Sequence, residues 1–158
     1  MPTKTLEATL VPPTAHKERK LQELHDLYHE GLHEAFEAGA DTQSAVNDIV
    51  TPYDLPYQVK DALKNYLPSL DDAQELSDDH PTRMVNRAAR FDHSEDREHS
   101  YVWEVPQPGR GTNFWIPLRI NPEQESLWFD LLSKDAKAGE LRLQRHRTSW
   151  EVHVTVET

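Results

Sequence analysis

Ten arginines, seven lysines and no cysteine set the chemistry open to this chain of 158 residues. Arg142, Arg145 and Arg147 stand beside Trp150 in the closing stretch GELRLQRHRTSWEVHVTVET, residues 139–158. A guanidinium fork matches a phosphate and an indole offers a flat face to a base, so this pairing of residue types fits a phosphate-facing surface. Arg83, Arg87 and Arg90 are spaced four and three apart, which places them on one side of a helix. Arg110 sits in the glycine-bearing turn PQPGRGTN. These seven arginines and Trp150 are the candidate nucleic-acid contacts. Tyr101, Trp103, Phe114 and Trp115 are further candidate stacking surfaces.

Each of these features has a plainer reading. The hairpin arginines can be a solvated strand face paired with nearby glutamates, and strand parity separates Arg142 from Arg145 and Arg147. Asp78, Asp79 and Asp92 can saturate Arg83, Arg87 and Arg90. Trp103, Trp115, Trp128 and Trp150 are expected in the core, since aromatics dominate small cores. Tyr53 and Tyr57, which flank prolines, are expected to pack and not to stack.

His25, His29 and His33 repeat every four residues, the spacing of a metal face on a helix. They also border an apolar stripe, which makes them a row of half-exposed histidines with no obvious outer partners. No nucleophile elbow, phosphate-binding glycine loop or HExxH is present. The pairs Asp71-Asp72 and Asp78-Asp79 lie in a polar stretch and read as solvated loop. No catalytic residue and no cofactor are expected.

Several elements must position these residues. Residues 3–11, TKTLEATLV, alternate and form a strand that Pro12-Pro13 ends. Thr14 caps a helix over 15–38, with Leu21, Leu24, Tyr28, Leu32, Ala35 and Phe36 on one face and Gly39 as its stop. A short helix covers Thr42 to Ile49. Pro56 opens a third that runs to Leu67, with Val59, Leu63, Tyr66 and Leu67 inward. Asp71 to Asp79 reads as an exposed linker, and Pro81 starts a fourth helix through about Arg90. Strands then follow at Tyr101 to Val105 and Phe114 to Ile120, the second holding Pro117 at an edge or bulge position. Asn121 and Pro122 open a short helix with Leu127, Trp128, Leu131 and Leu132 on its apolar side. A hairpin turning at Thr148-Ser149 closes the chain.

That layout predicts an α+β fold. Five antiparallel strands form a small barrel of the oligonucleotide-binding kind from residues 1–13 and 91–158, and residues 14–90 are a helical bundle inserted after the first strand. An open antiparallel sheet with helices on one face is the alternative.

Charge is uneven along the chain. The net charge is −11, from 28 acidic and 17 basic residues. Residues 1–80 hold six Lys and Arg against sixteen Asp and Glu, while residues 81–158 hold eleven against twelve. Nine of the ten arginines lie in the second half. A lysine-poor carboxylate surface is what solubility in molar salt calls for. At about 1 M the Debye length is only about 3 Å, so local contacts outweigh total charge. With no long apolar run and no cysteine, the expected location is the cytoplasm, away from membranes.

One strand, a helical insertion containing TPYDLP (Thr51 to Pro56), a barrel, and a closing strand WEVHVTVE (Trp150 to Glu157) together resemble the N-terminal part of the TnpB family. These are OrfB-type, transposon-encoded RNA-guided DNA endonucleases. The acidic, lysine-poor composition resembles the branch from salt-loving archaea. The resemblance covers the whole chain but only the N-terminal part of the family's length. It implies that the strand-rich part is a wedge domain, that the inserted helices are a recognition lobe, and that guide RNA and target DNA are the partners. The family's RuvC-like nuclease domain follows the closing wedge strand, and this sequence stops at Thr158 before it. No catalytic residue carries over, so the expectation is a chain that binds nucleic acid without cutting it. A stand-alone acidic regulator or inhibitor that binds a protein through the inserted helices is the competing expectation.

Overall fold

A computed structural model describes residues 3–69, 81–96, 98–109, 112–147 and 149–157. Alternation shapes the first strand, β1 (Thr3–Leu10), which buries Leu6, Ala8 and Leu10 and turns Thr5 and Glu7 outward. Helix α1 (Ala15–Glu37) starts where the Thr14 hydroxyl accepts the Lys17 N–H at 3.3 Å. It stops at Gly39, whose φ of +69° suits glycine, and Ala40 N–H then reaches back to the Ala35 carbonyl. Thr42 caps α2 (Gln43–Val50) in the same way, through Ala45 N–H. Helix α3 (Tyr57–Tyr66) follows Pro56 and has no side-chain cap.

The remaining strands are β2 (Thr82–Met84), β3 (Phe91–His93), β4 (Tyr101–Val105), β5 (Phe114–Ile120), β6 (Lys137–His146) and β7 (Ser149–Glu157). Helix α4 (Glu125–Leu132) lies between β5 and β6. All seven strands join one antiparallel sheet in the order β2-β6-β7-β1-β5-β4-β3. The expected five-stranded barrel is therefore incorrect: two more strands are present, and the sheet has two edges. The class remains α+β.

Two expectations failed together here. The helix expected from Pro81 through about Arg90 is absent, and residues 82–84 and 91–93 are the two edge strands. Thr82 and Met84 are fully buried on either side of Arg83, a period of two that the arginine spacing masked. Their backbone completes the free edge of β6, with Thr82 opposite Leu143 and Met84 opposite Leu141. Unpaired ladder groups cost more than a weak local helix preference returns. β2 thus belongs to the sheet although it lies within residues 14–90, the stretch assigned to the helical insertion.

Chain length shows why the sheet curls into an open half-barrel. Its outermost strands, β2 and β3, are joined by residues 85–90 alone, part of which is a tight helical turn at Asn86–Ala88. Seven residue steps reach at most about 25 Å. Seven flat strands would hold their outer members about 29 Å apart, at about 4.8 Å per spacing. Only a curled sheet lets that short link span the opening. Trp103 Nε1 pins it by donating to the Ala88 carbonyl at 2.9 Å.

One apolar core runs under the sheet and helices. Trp103, Trp128, Trp150 and Tyr28 are its largest buried side chains. Helix α1 meets the face that carries Trp150. Trp128 of α4 packs edge-on against Phe91 at 5.0 Å. Pro117 sits where β1 runs out: Leu10 pairs with Leu118, Val11 N–H reaches the Pro117 carbonyl, and the prolines follow. A missing N–H is harmless at that point. Among the described residues, no helix is long and apolar enough to cross a membrane.

Candidate nucleic-acid interface

Carboxylates hold most of the candidate arginines. Glu140 Oε1 accepts from Arg83 Nη1 at 2.6 Å and from Arg142 Nε at 3.0 Å. Arg83 is also stacked 4.0 Å above the Tyr66 ring and is half-buried, so it is a structural residue. Arg87 binds Asp61 at 2.6 Å and lies 5.0 Å over the Tyr57 ring. Arg90 reaches Glu104 at 3.3 Å. The expected alignment of Arg83, Arg87 and Arg90 on one helix face is absent, since strand, turn and loop carry them separately.

The β6–β7 tip differs. It is a two-residue turn in which His146 pairs with Ser149, one residue earlier than the Thr148-Ser149 turn expected from the sequence. Arg145 Nη1 contacts Glu18 Oε1 and Gln22 Oε1, both at 2.7 Å, and its guanidinium lies 5.0 Å from the Trp150 ring. The other Glu18 oxygen takes the Trp150 indole N–H at 2.9 Å. One carboxylate of α1 therefore fixes both hairpin residues. His146 Nε2 stands 2.6 Å from Glu151. Arg147 is exposed, and its guanidinium has no hydrogen-bond or ion-pair partner among the described residues. Its φ of +48° is the left-handed region that asparagine or glycine normally fills.

Trp150 is 1 % exposed and cannot serve as a stacking platform. Tyr101 and Trp103 are likewise buried, whereas Trp115 is 43 % exposed, contrary to its expected core position. Arg110, the Asp71–Asp79 linker and Thr148 lie outside the described residues.

The histidine row does not converge. The His25 and His29 rings lie 4.1 Å apart and tilted, and His33 is a further 6.4 Å along. His29 Nδ1 is 3.0 Å from the His25 carbonyl, which commits that nitrogen to donating. Among the described residues no group of three His, Asp or Glu side chains is placed to hold a metal ion.

Sequence reasoning missed Gln58 and expected Tyr57 to pack. Tyr57 is 54 % exposed, and helical phase could have shown it, since Val59 and Leu63 point inward. Gln58 is buried at 7 % exposure, which polarity alone argued against. Nearby, the Tyr53 hydroxyl donates to Glu34, and burial together with that carboxylate raises its pKa well above the usual tyrosine value.

Fold and site together define a mixed α+β protein that presents a basic hairpin tip on a curled antiparallel sheet. No protein-family profile matches this chain, and no curated protein is similar to it.

Proposed function

We propose that this chain binds structured RNA through the β6–β7 tip and does not itself catalyse a reaction. Following the resemblance, the RNA is the guide of a TnpB-type RNA-guided nuclease, held together with its DNA target. The observation that carries the reading is Arg147, a solvent-facing cation without a carboxylate partner among the described residues, held in a strained backbone conformation. Such strain persists where the surroundings or a function over-determine it. Arg145 and His146 adjoin it but rest on Glu18 and Glu151, so a phosphate there meets Arg147 first and gains the other two only by displacing those carboxylates. Support also comes from topology: β1 pairs with β7 and β5 while three helices loop out between them, as the resemblance implies. The ion pairs at Arg83, Arg87, Arg90, Arg142 and Arg145 leave Arg147 as the uncommitted cation at the tip among the described residues.

Fluorescence anisotropy with a labelled RNA hairpin across a KCl series tests this. Wild-type affinity is expected to fall steeply with salt. Arg145→Ala with Arg147→Ala is expected to lower the log–log slope by about 2, close to one unit per lost phosphate contact. Absence of binding at about 0.1 M KCl, or an unchanged slope in the double variant, refutes it.

One observation favours a second reading. Glu23, Asp26, Glu30 and Glu37 are all exposed at helical spacing on α1. An acidic stripe of that kind suits a basic protein surface. On this reading RNA does not bind, and neutralising the stripe weakens capture of the protein partner while the tip variants are silent.

A further inference from the structure

A groove of about 590 Å³ separates the start of α3 from the β4–β5 turn. That volume falls within the range of about 300–1,000 Å³ typical of small-ligand sites. Tyr57, Gln58, Lys60, Arg90, Gln107 and Asn113 line it. Their polar atoms can be followed one by one. Asn113 accepts from Gln107 N–H at 2.8 Å and donates to Glu104 at 2.9 Å, which keeps one donor over. Gln107 Nε2 donates to the Pro106 carbonyl, which leaves its amide oxygen over. Lys60 Nζ gives one bond to the Thr51 carbonyl and keeps two donors. Arg90 spends one nitrogen on Glu104 and stays largely exposed.

Gln58 brings an amide to the groove from the first turn of α3. Among the described residues it is one of two buried polar side chains, and its amide has no hydrogen bond to any of them. The amide lines the groove, so a ligand there can bond it directly. Beside it, Tyr57 carries Arg87 over its ring and is more than half exposed, so a stacking partner can still reach it.

We propose that this groove takes one nucleotide unit. The base stacks on Tyr57, its edge hydrogen-bonds to the Gln58 amide, and its phosphate turns toward Arg90 and Lys60. A glutamine amide suits the donor–acceptor edge of adenine. Asp54, the one carboxylate among the described residues that line the groove, is exposed and disfavours a second phosphate close by. The inference rests on the nucleic-acid reading only for its ligand class and does not involve the β6–β7 tip.

The same chemistry can come from a free nucleotide or from an unpaired base in a strand, and two arms separate these. In the first, adenosine monophosphate is titrated into the ¹⁵N-labelled full chain, and the side-chain amide signals of Gln58 and Gln107 are followed. In the second, a labelled single-stranded hexaribonucleotide is compared with an abasic strand of the same length. The base-bearing strand is expected to bind about tenfold more tightly, the worth of one stacked base. Tyr57→Ala should erase that ratio and Tyr57→Phe should keep it. Gln58→Met preserves shape and removes the amide, so it should reduce the ratio with little change in Tm. The Arg145 and Arg147 variants should weaken both strands equally, which distinguishes failure of the tip from failure of the groove. Amide shifts with a ratio of one assign the groove to a free nucleotide, and a ratio near ten without shifts assigns it to a strand. A ratio of one with unmoved amide signals overturns the inference.

Discussion

Arg147 joins two costs that a neutral turn would avoid. A non-glycine residue in the left-handed region loses about 1–2 kcal/mol relative to its ordinary backbone states. Asparagine and glycine are the residues that two-residue hairpin turns prefer there. Replacing Arg147 by glycine is therefore expected to raise stability by about 0.5–1 kcal/mol, less than the full strain because glycine also frees the unfolded chain. In a domain of this size that is about 1–4 °C in Tm. RNA affinity should drop in the same variant. Thermal melts and anisotropy on one preparation check both. A variant that melts higher and binds RNA as well as wild type removes the functional reason for the strain.

The other arginines show why composition misled. An exposed ion pair is worth only about 0–1 kcal/mol, so Arg87–Asp61 and Arg90–Glu104 add little to folding. They nonetheless cancel a phosphate-facing charge. Nothing in the spacing of Arg83, Arg87 and Arg90 announces Glu140, Asp61 and Glu104, because each partner comes from a different element. Glu18 is 127 residues from Arg145. Local sequence cannot show such a contact. The tip arginines were legible because they lie within one hairpin, whose alternation from Trp150 to Val156 is strict.

At the scale of elements, legibility followed length. β1, α1, α2, α3, β4, β5, α4 and the β6–β7 hairpin all carry a periodic pattern with a cap or a proline at one end, and each forms close to where the pattern places it. β2 and β3 are three residues long, too short for any period to be visible. Their strand state comes from the unpaired edges of β6 and β4. Another edge is finished by a side chain. β5 pairs with β1 only over Ala8–Leu10, which leaves Thr5 and Glu7 open on that side. Gln124 fills the gap as a one-residue strand: its amide oxygen accepts Glu7 N–H and its amide nitrogen donates to the Thr5 carbonyl, both at 3.1 Å. Each such bond is worth about 0.5–1.5 kcal/mol net. Gln124→Ala is expected to cost about 1–2 kcal/mol in urea denaturation, and Gln124→Glu, which cannot donate when ionised, about half as much. Amide exchange should quicken at Glu7 before it does at Leu6, whose N–H faces β7. Wild-type stability in the alanine variant would mean that water serves this edge equally well.

For the whole molecule, a net charge of −11 sets a contest between two electrostatic terms that salt separates. Repulsion among carboxylates acts over tens of ångströms, and favourable pairs act at contact. Raising KCl from about 0.1 to about 1 M shortens the Debye length from about 10 Å to about 3 Å. The contacts from Arg83–Glu140 at 2.6 Å to Arg90–Glu104 at 3.3 Å lie near or within even the shorter length, so they are screened least. Repulsion along the α1 stripe, whose exposed carboxylates succeed one another at about 4.5 Å or more along the axis, is screened far more strongly. The balance favours the fold: stability should rise by about 1 kcal/mol between those salt levels, about 2–4 °C in Tm. Glu23→Gln with Glu30→Gln should lose part of that rise by lifting the repulsion beforehand. RNA affinity must move the other way, because counterions released at the tip are harder to release into concentrated salt. Thermal melts and anisotropy over one KCl series read both quantities. A Tm that stays flat or falls would mean that contact pairs, not carboxylate repulsion, dominate the electrostatics of this chain.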